Sequence, residues 1–360
     1  MVNGPESFTP DMAYILGRTP EIGNYFVAAG FNSSGIASSA GAGLALAEWI
    51  WNGEPSLDLA AVDIRRFHNF QHNREYLRER TSETLGLHYQ IPWPRREMET
   101  ARGVRRSALY HPLNDRGAVW GSKFGWERVN YFIENGRSDV DVQGVSEKQS
   151  EYLNQRTFDR PKYFDIVEKE VRATRESVCL FDQSSFAKYE VAGKDALNLM
   201  QLMCSTNMDT AVGSVSYTLF LNDEGGIESD VSVTRLEENR FFVTSSTALG
   251  TRDMDWMRRT IHRLGLQDSV HVHDVTSSYG VIGLQGPLAT DVLRKAGSNR
   301  KDQICDDFLP RTSRSIEVGQ VIARAQRFSY VGVDGYELIV PTEMMEHAYE
   351  AIVKAGDGAG

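Results

Sequence analysis

Three groups of side chains in this sequence have types and spacings that could do chemistry. Glu228 and Asp230 stand two apart in IESDVSVTR, so on a strand both carboxylates share one face and could move protons. His68 and His72 stand four apart, and His271 and His273 stand two apart with Asp274 next. Both spacings suit metal ligands, but neither pair has a third ligand at a fixed offset, so no metal is expected. Asp182, Ser184 and Ser185 carry the types of a nucleophile and an orienting acid without a nearby His, and a structural turn accounts for them. A solvated strand face equally accounts for Glu228 and Asp230 on their own.

The element that must position the acid pair is a hairpin. Tyr217, Leu219 and Leu221 alternate with other residues, Asn222 to Gly226 supply a turn with two glycines, and alternation resumes at Ile227. Ile227, Val231 and Val233 are expected on one face of the second strand and Glu228 with Asp230 on the other. If Leu221 pairs with Ile227, Tyr217 falls opposite Val231 and points away from Asp230. A bulge at Gly225 or Gly226 shifts that register.

The second informative stretch is near the start. A short apolar strand, Tyr25 to Ala29, runs into a Gly/Ser loop and a helix with Leu44, Ala47, Trp49 and Ile50 at helical spacing. Asn52-Gly53 stops that helix and Pro55 follows. A strand, a small-residue loop and a helix N-terminus can face an anion or a flavin edge, although no complete dinucleotide fingerprint is present. A helix is expected from Asp63 to about Gly86, with His68 and His72 on one face. Strands are expected around Cys179 to Phe181, near Tyr189 and over Arg240 to Ser245, with helices between.

The whole chain sets bounds on these readings. With 360 residues and 41% hydrophobic content, two domains with buried cores are expected. A net charge of −10 argues against a nucleic-acid surface, and the arginines from Arg95 to Arg106 alternate with Glu97 and Glu99 as a solvated patch does. Three widely spaced cysteines form no CxxC pair and fit a reducing compartment. No apolar run reaches the length of a membrane span, and the first residues lack a signal-peptide pattern, so no membrane is expected.

The run from Tyr217 to Arg235, an aromatic, then LN, then GG, then an acid, resembles the folate-binding core of glycine-cleavage aminomethyltransferases and the matching domain of sarcosine and dimethylglycine dehydrogenases. That resemblance implies Asp230 as the catalytic acid, Tyr217 as a folate contact, and Tyr330 and Glu337 in SYVGVDGYELIVP as further folate-binding positions. Ser245 stands where many aminomethyltransferases carry Asn, and Val333 where the motif carries Glu. The run from Asn3 to Pro55 looks like the last part of the flavin domain of the same dehydrogenases. It implies Gly30, Asn32, Ser33, Gly35 and Ile36 as flavin-adjacent, cofactor-binding positions. The GxGxxG unit and covalent-flavin histidine of that family have no counterpart here, so tight flavin binding by this stretch of chain is not expected.

The fold class implied is α+β: a C-terminal remnant of a flavin amine-oxidoreductase domain (1–62), a small middle domain (63–134), a linker (135–155), and a glycine-cleavage T-protein-like folate-binding domain (156–360). The function implied is part of a flavin- and folate-dependent oxidative demethylase. Its substrate would be a small-molecule N-methylated glycine, its cofactors FAD and tetrahydrofolate, and its electron acceptor an electron-transfer flavoprotein or similar. The expected compartment is the cytoplasm in a bacterium or the mitochondrial matrix in a eukaryote. The opening from Asn3 to Met12 also resembles the regulatory subunit of pyruvate dehydrogenase phosphatase, which implies a non-catalytic alternative.

Overall fold

The structure is a computed structural model describing residues 4–133, 156–297, 303–305 and 307–358; the linker expected over 135–155 lies outside the described residues. Strands β1 (Ile15–Arg18) and β2 (Phe26–Ala29) form an antiparallel ribbon, followed by helix α1 (Gly35–Asn52). Helix α1 ends where expected: Gly53 takes φ +86° and its N–H reaches the Trp49 carbonyl at 2.9 Å. Its inward face, however, is Ala42, Ala45 and Trp49, while Leu44 and Ile50 are exposed. Small alanines let the helix sit close to a narrow two-stranded ribbon, which can cover only one stripe of it.

The single helix expected from Asp63 is broken into two 3₁₀ turns, Ile64–Arg66 and Asn69–His72, before α2 (Arg74–Leu87). Asn73 starts the true helix by accepting the N–H groups of Glu75 and Tyr76 at 2.9 and 3.1 Å. His68 and His72 therefore do not share a helix face. Arg65 in the first turn is buried between Asp63 (2.7 Å) and Asp255 (3.0 Å), joining this segment to a helix far along the chain. Helix α3 (Tyr110–Asn114) and the hairpin of β3 (Ala118–Lys123) and β4 (Trp126–Phe132) follow.

The rest is α4 (Phe164–Glu176), β5 (Cys179–Asp182), β6 (Ala187–Ala192), α5 (Ala196–Met203), β7 (Val215–Leu221), β8 (Ile227–Glu237), β9 (Arg240–Ser245), α6 (Gly250–Leu264) and β10 (His271–Asp274). Then come β11 (Tyr279–Gln285), α7 (Ala289–Ala296), β12 (Ser313–Val318), β13 (Val321–Gln326), β14 (Gly335–Pro341) and α8 (Met345–Gly356). They form two five-stranded antiparallel sheets, ordered β10-β6-β9-β8-β7 and β5-β11-β14-β13-β12. The two orders are the same motif used twice with edge strands exchanged. β5 precedes the first unit yet pairs in the second sheet, and β10 precedes the second unit yet pairs in the first.

The same turn serves both crossings. Asp182 accepts the Ser184 N–H at 3.0 Å, and Asp274 accepts the Thr276 N–H at 2.9 Å. Gly193 and Gly286 then lead into α5 and α7 with φ +134° and +133°, each with backbone just ahead of a strand, Ser269 before β10 and Ser177 before β5, where a Cβ would stand. Helices α5 and α6 bury the outer face of the first sheet, with Met200 and Met257 of the helices in one cluster with Phe220 and Val243 of the strands. Helices α7 and α8 do the same for the second around Ile282, Leu338 and Ala348. The inner faces meet at Phe242, Val281 and Ile339, and at a Gln326–Thr234 hydrogen bond of 2.8 Å.

Candidate active site on the first hairpin

The β7–β8 turn is built by Asn222, whose side-chain oxygen accepts the N–H groups of Glu224 (3.1 Å) and Gly226 (2.7 Å), with Gly225 at φ +79°. Leu221 does pair with Ile227, as one reading of the sequence has it. The next pair, though, is Phe220 with Ser229, so the strand carries its extra residue at Glu228 rather than in the glycines. This bulge corrects two expectations. Ile227 is 63% exposed instead of sharing the buried face of Val231 and Val233. Leu219, not Thr218, stands opposite Asp230, so Tyr217 lies diagonally across from Asp230 on the same face.

The contacts follow from that register. The Tyr217 hydroxyl donates to Asp230 Oδ2 at 3.1 Å. Glu228 is drawn away into an ion pair with Arg252 of α6 at 2.7 Å, leaving Asp230 as the carboxylate of this face. Tyr217 is 47% exposed and Asp230 is exposed, so both can meet a ligand. The Tyr330 ring, from the loop before β14, packs edge-on against Tyr217 with centroids 6.3 Å apart, and Phe328 packs edge-on against Tyr330 at 4.9 Å.

The second sheet contributes a buried carboxyl. Glu337 on β14 pairs with Gln326 on one side and Gly283 on the other, and burial alone pushes its carboxyl up to about 7. Burial, and after it the Glu337 charge, raises the Tyr330 hydroxyl to about 12, while a hydrogen bond with Ser232 opposes that rise. The structure thus gathers Asp230, Tyr217, Tyr330 and Glu337 from two sheets.

Behind Asp230 lies a buried support in which Ser245 joins two residues that sequence reasoning missed, Ser229 and Asp253. Ser229 and Ser245 lie 3.3 Å apart, and Ser245 donates to Asp253 of α6. Burial raises the Asp253 carboxyl to about 7 against the pull of both hydroxyls. Asp253 sits among Met254, Trp256 and Met257 on the inward side of α6. An acid within the apolar stripe of an amphipathic helix was the available signal.

The positions expected to be flavin-adjacent lie elsewhere, around the start of α1. The side chain of Asn32 is taken up within its own loop: its oxygen accepts the Thr9 N–H and its amide donates to the Gly30 carbonyl, both at 2.8 Å. Ser33 is exposed and Ile36 is 98% exposed, beside Gly35 at the first turn of the helix. His271 and His273 face solvent on β10, and no cluster of three metal-ligating side chains exists among the described residues. Among those residues, no helix is long and apolar enough to cross a membrane.

A family comparison matches most of the chain, residues 109–360, to the GCVT N-terminal domain. This chain belongs to the GCVT domain family. Ahead of the GCVT domain, residues 52–107 match the FAD dependent oxidoreductase central domain. The structure of a glycine cleavage system aminomethyltransferase T from Bartonella henselae superposes with TM-score 0.53 at 21% identity, covering 70% of this chain and 57% of that one, and so shares its fold.

Among curated relatives, 4-methylaminobutanoate oxidase (formaldehyde-forming) of Paenarthrobacter nicotinovorans is 38% identical over 359 residues, 100% of this chain and 41% of its own. The mitochondrial pyruvate dehydrogenase phosphatase regulatory subunit of Mus musculus is 34% identical, over 100% of this chain and 40% of its own. Human mitochondrial sarcosine dehydrogenase is 31% identical, over 99% of this chain and 41% of its own. The chain therefore spans about two-fifths of the length of the curated relatives it matches.

Proposed function

We propose that this chain is part of a flavin- and folate-dependent oxidative demethylase of N-methylated glycines, and that its GCVT domain passes the one-carbon unit to tetrahydrofolate. The observation that carries this reading is the Tyr217–Asp230 hydrogen bond of 3.1 Å on an open face, set beside Tyr330 and the buried Glu337. A pterin ring presents N–H donors, and Glu337 fits it: a buried carboxyl whose rise no hydrogen bond or ion pair offsets is an acceptor in want of a donor. Tyr217 and Tyr330 offer aromatic edges and faces for the ring to pack on.

Tetrahydrofolate would supply the amine nitrogen that takes up the carbon. Asp230 would accept the proton of that nitrogen and stabilise the positive charge developing on it. Tyr217 holds one oxygen of Asp230, which orients the other toward the ligand. FAD would lie against Gly30, Ser33, Gly35 and Ile36, with Asn32 shaping the loop from within. The division into residues 1–62, 63–134 and 156–360 is part of this reading, as are an electron-transfer flavoprotein or similar acceptor and a cytoplasmic or mitochondrial-matrix setting.

A full-length protein carrying Asp230→Asn should lose methylene-tetrahydrofolate formation and keep amine oxidation. Undiminished folate product from the variant refutes the role of Asp230. The similarity to the phosphatase regulatory subunit, with Val333 in place of the motif's acid, favours a second reading as a non-catalytic regulatory subunit. Amine-dependent dye reduction by the full-length wild type separates the two.

A further inference from the structure

The bulge at Glu228 decides which side chains share the Asp230 face, and the turn and the buried valines do not by themselves fix it there. Leu221 pairs with Ile227 at the turn, and Val231 and Val233 are buried in the cluster under α5 and α6, so one extra residue must lie between Ile227 and Val231. Over that stretch β7 is the ladder partner among the described residues, because pairing with β9 ends at Val231 and Ser245. With the extra residue at Asp230 instead, Ser229 would stand opposite Leu219 on the open face, and Asp230 would lose its place across from Leu219.

Two neighbouring residues in the first turn of α6 hold the bulge where it is. The Arg252 guanidinium pairs with Glu228 at 2.7 Å, the two side chains being 20% and 10% exposed, and the Asn222 amide donates to the other Glu228 oxygen at 3.2 Å. One residue on, Asp253 accepts the Ser245 hydroxyl, which lies 3.3 Å from that of Ser229. Asp253, Ser245 and Ser229 are all buried, so turning Ser229 to the open face would strip hydrogen bonding from groups that water does not reach.

The helix is itself fixed from another side. Thr251 donates to the Phe67 carbonyl at 2.7 Å, Asp255 holds Arg65 at 3.0 Å, and Arg259 holds Glu54 at 2.6 Å. Helix α6 is thus a post set between the N-terminal segments and the hairpin.

We infer that Arg252 and Asp253 are positioning residues for Asp230: by gripping Glu228 and Ser229 they fix the bulge that brings the Tyr217 hydroxyl to the Asp230 carboxylate. The inference rests on the proposed function only in treating this face as the ligand site, since the register itself needs no ligand.

The Tyr217 phenol reports the register. The Asp230 charge raises its pKa, an effect that depends on the two side chains sharing a face. The test is a pH titration, by fluorine NMR, of the full 360-residue chain with 3-fluorotyrosine at position 217, with Asp230→Asn as the reference for a phenol without that charge. Arg252→Met should lower the phenol toward the reference, and Arg252→Lys should stay at wild type. Loss of a cation by itself would raise the phenol, so the direction of the shift separates a moved register from a changed field. Ser245→Ala, which cuts the grip of Asp253 and removes no charge, should lower it as well.

Wild-type titration in folded Arg252→Met overturns the role of Arg252, and wild-type titration in folded Ser245→Ala overturns that of Asp253. A wild type that titrates like Asp230→Asn overturns both, and that comparison needs no change in the support. A role in stability alone would lower the urea midpoint and leave the titration of the folded protein unchanged. Tetrahydrofolate titration of the unaltered protein is a separate measurement: no binding there refutes the ligand reading and leaves the register result standing.

Discussion

Glu337 couples stability to the proposed ligand site and can be tested in both. The folded protein holds its proton up to about pH 7, against an ordinary value of 4.5, because burial disfavours the carboxylate. Between those values the folded state binds more protons than the unfolded chain, so stability falls as pH rises through that window. The difference in pKa corresponds to about 3 kcal/mol lost above pH 7 relative to acid conditions. Glu337→Gln keeps the shape and removes the titration. Urea unfolding of both proteins from pH 5 to 8.5 should show the variant gaining about 2–3 kcal/mol on the wild type across the series. Asp253 titrates in the same direction in both proteins and cancels in the difference. The same substitution should weaken tetrahydrofolate binding by about 1.5–3 kcal/mol, since a carboxylate acceptor for ring N–H groups is lost. A difference that stays flat with pH would refute the reasoning, because it would mean that Glu337 already has a donor in the folded protein.

Two structural predictions accompany it. Arg65→Met leaves Asp63 and Asp255 buried without their cation and should cost about 3–5 kcal/mol by urea titration; a loss under about 1 kcal/mol would show that the N-terminal segment does not depend on this ion pair. Gly193→Ala meets both a φ of +134° and the Ser269 carbonyl, and should destabilise by about 2 kcal/mol or more, whereas Gly53→Ala, with open space around it, should cost less.

What the sequence determined by itself was local. Alternation from Tyr217 to Leu221, the Asn222–Gly226 turn, the stop of α1 at Gly53 and the strand from Arg240 all stand in the structure, because period and turn chemistry act over a few residues. The motif around Asp230 was legible for the same reason. Its register was not. Whether Tyr217 meets Asp230 turns on one extra residue at Glu228, and that residue is held by Arg252 from α6, a contact no local pattern encodes.

Other features were decided by packing between distant segments. The alanine face of α1 was selected by a ribbon narrow enough to cover only one stripe, and the break at His68 by the Asn73 cap together with the Arg65–Asp255 ion pair. The exchange of β5 and β10 between sheets joins elements far apart in the chain. Sequence alone identifies which side chains carry charge and hydrogen-bonding groups. Burial decides which of them keep a partner, and so the raised carboxyl of Glu337 and the neutral imidazole of His68 exist only in the tertiary structure.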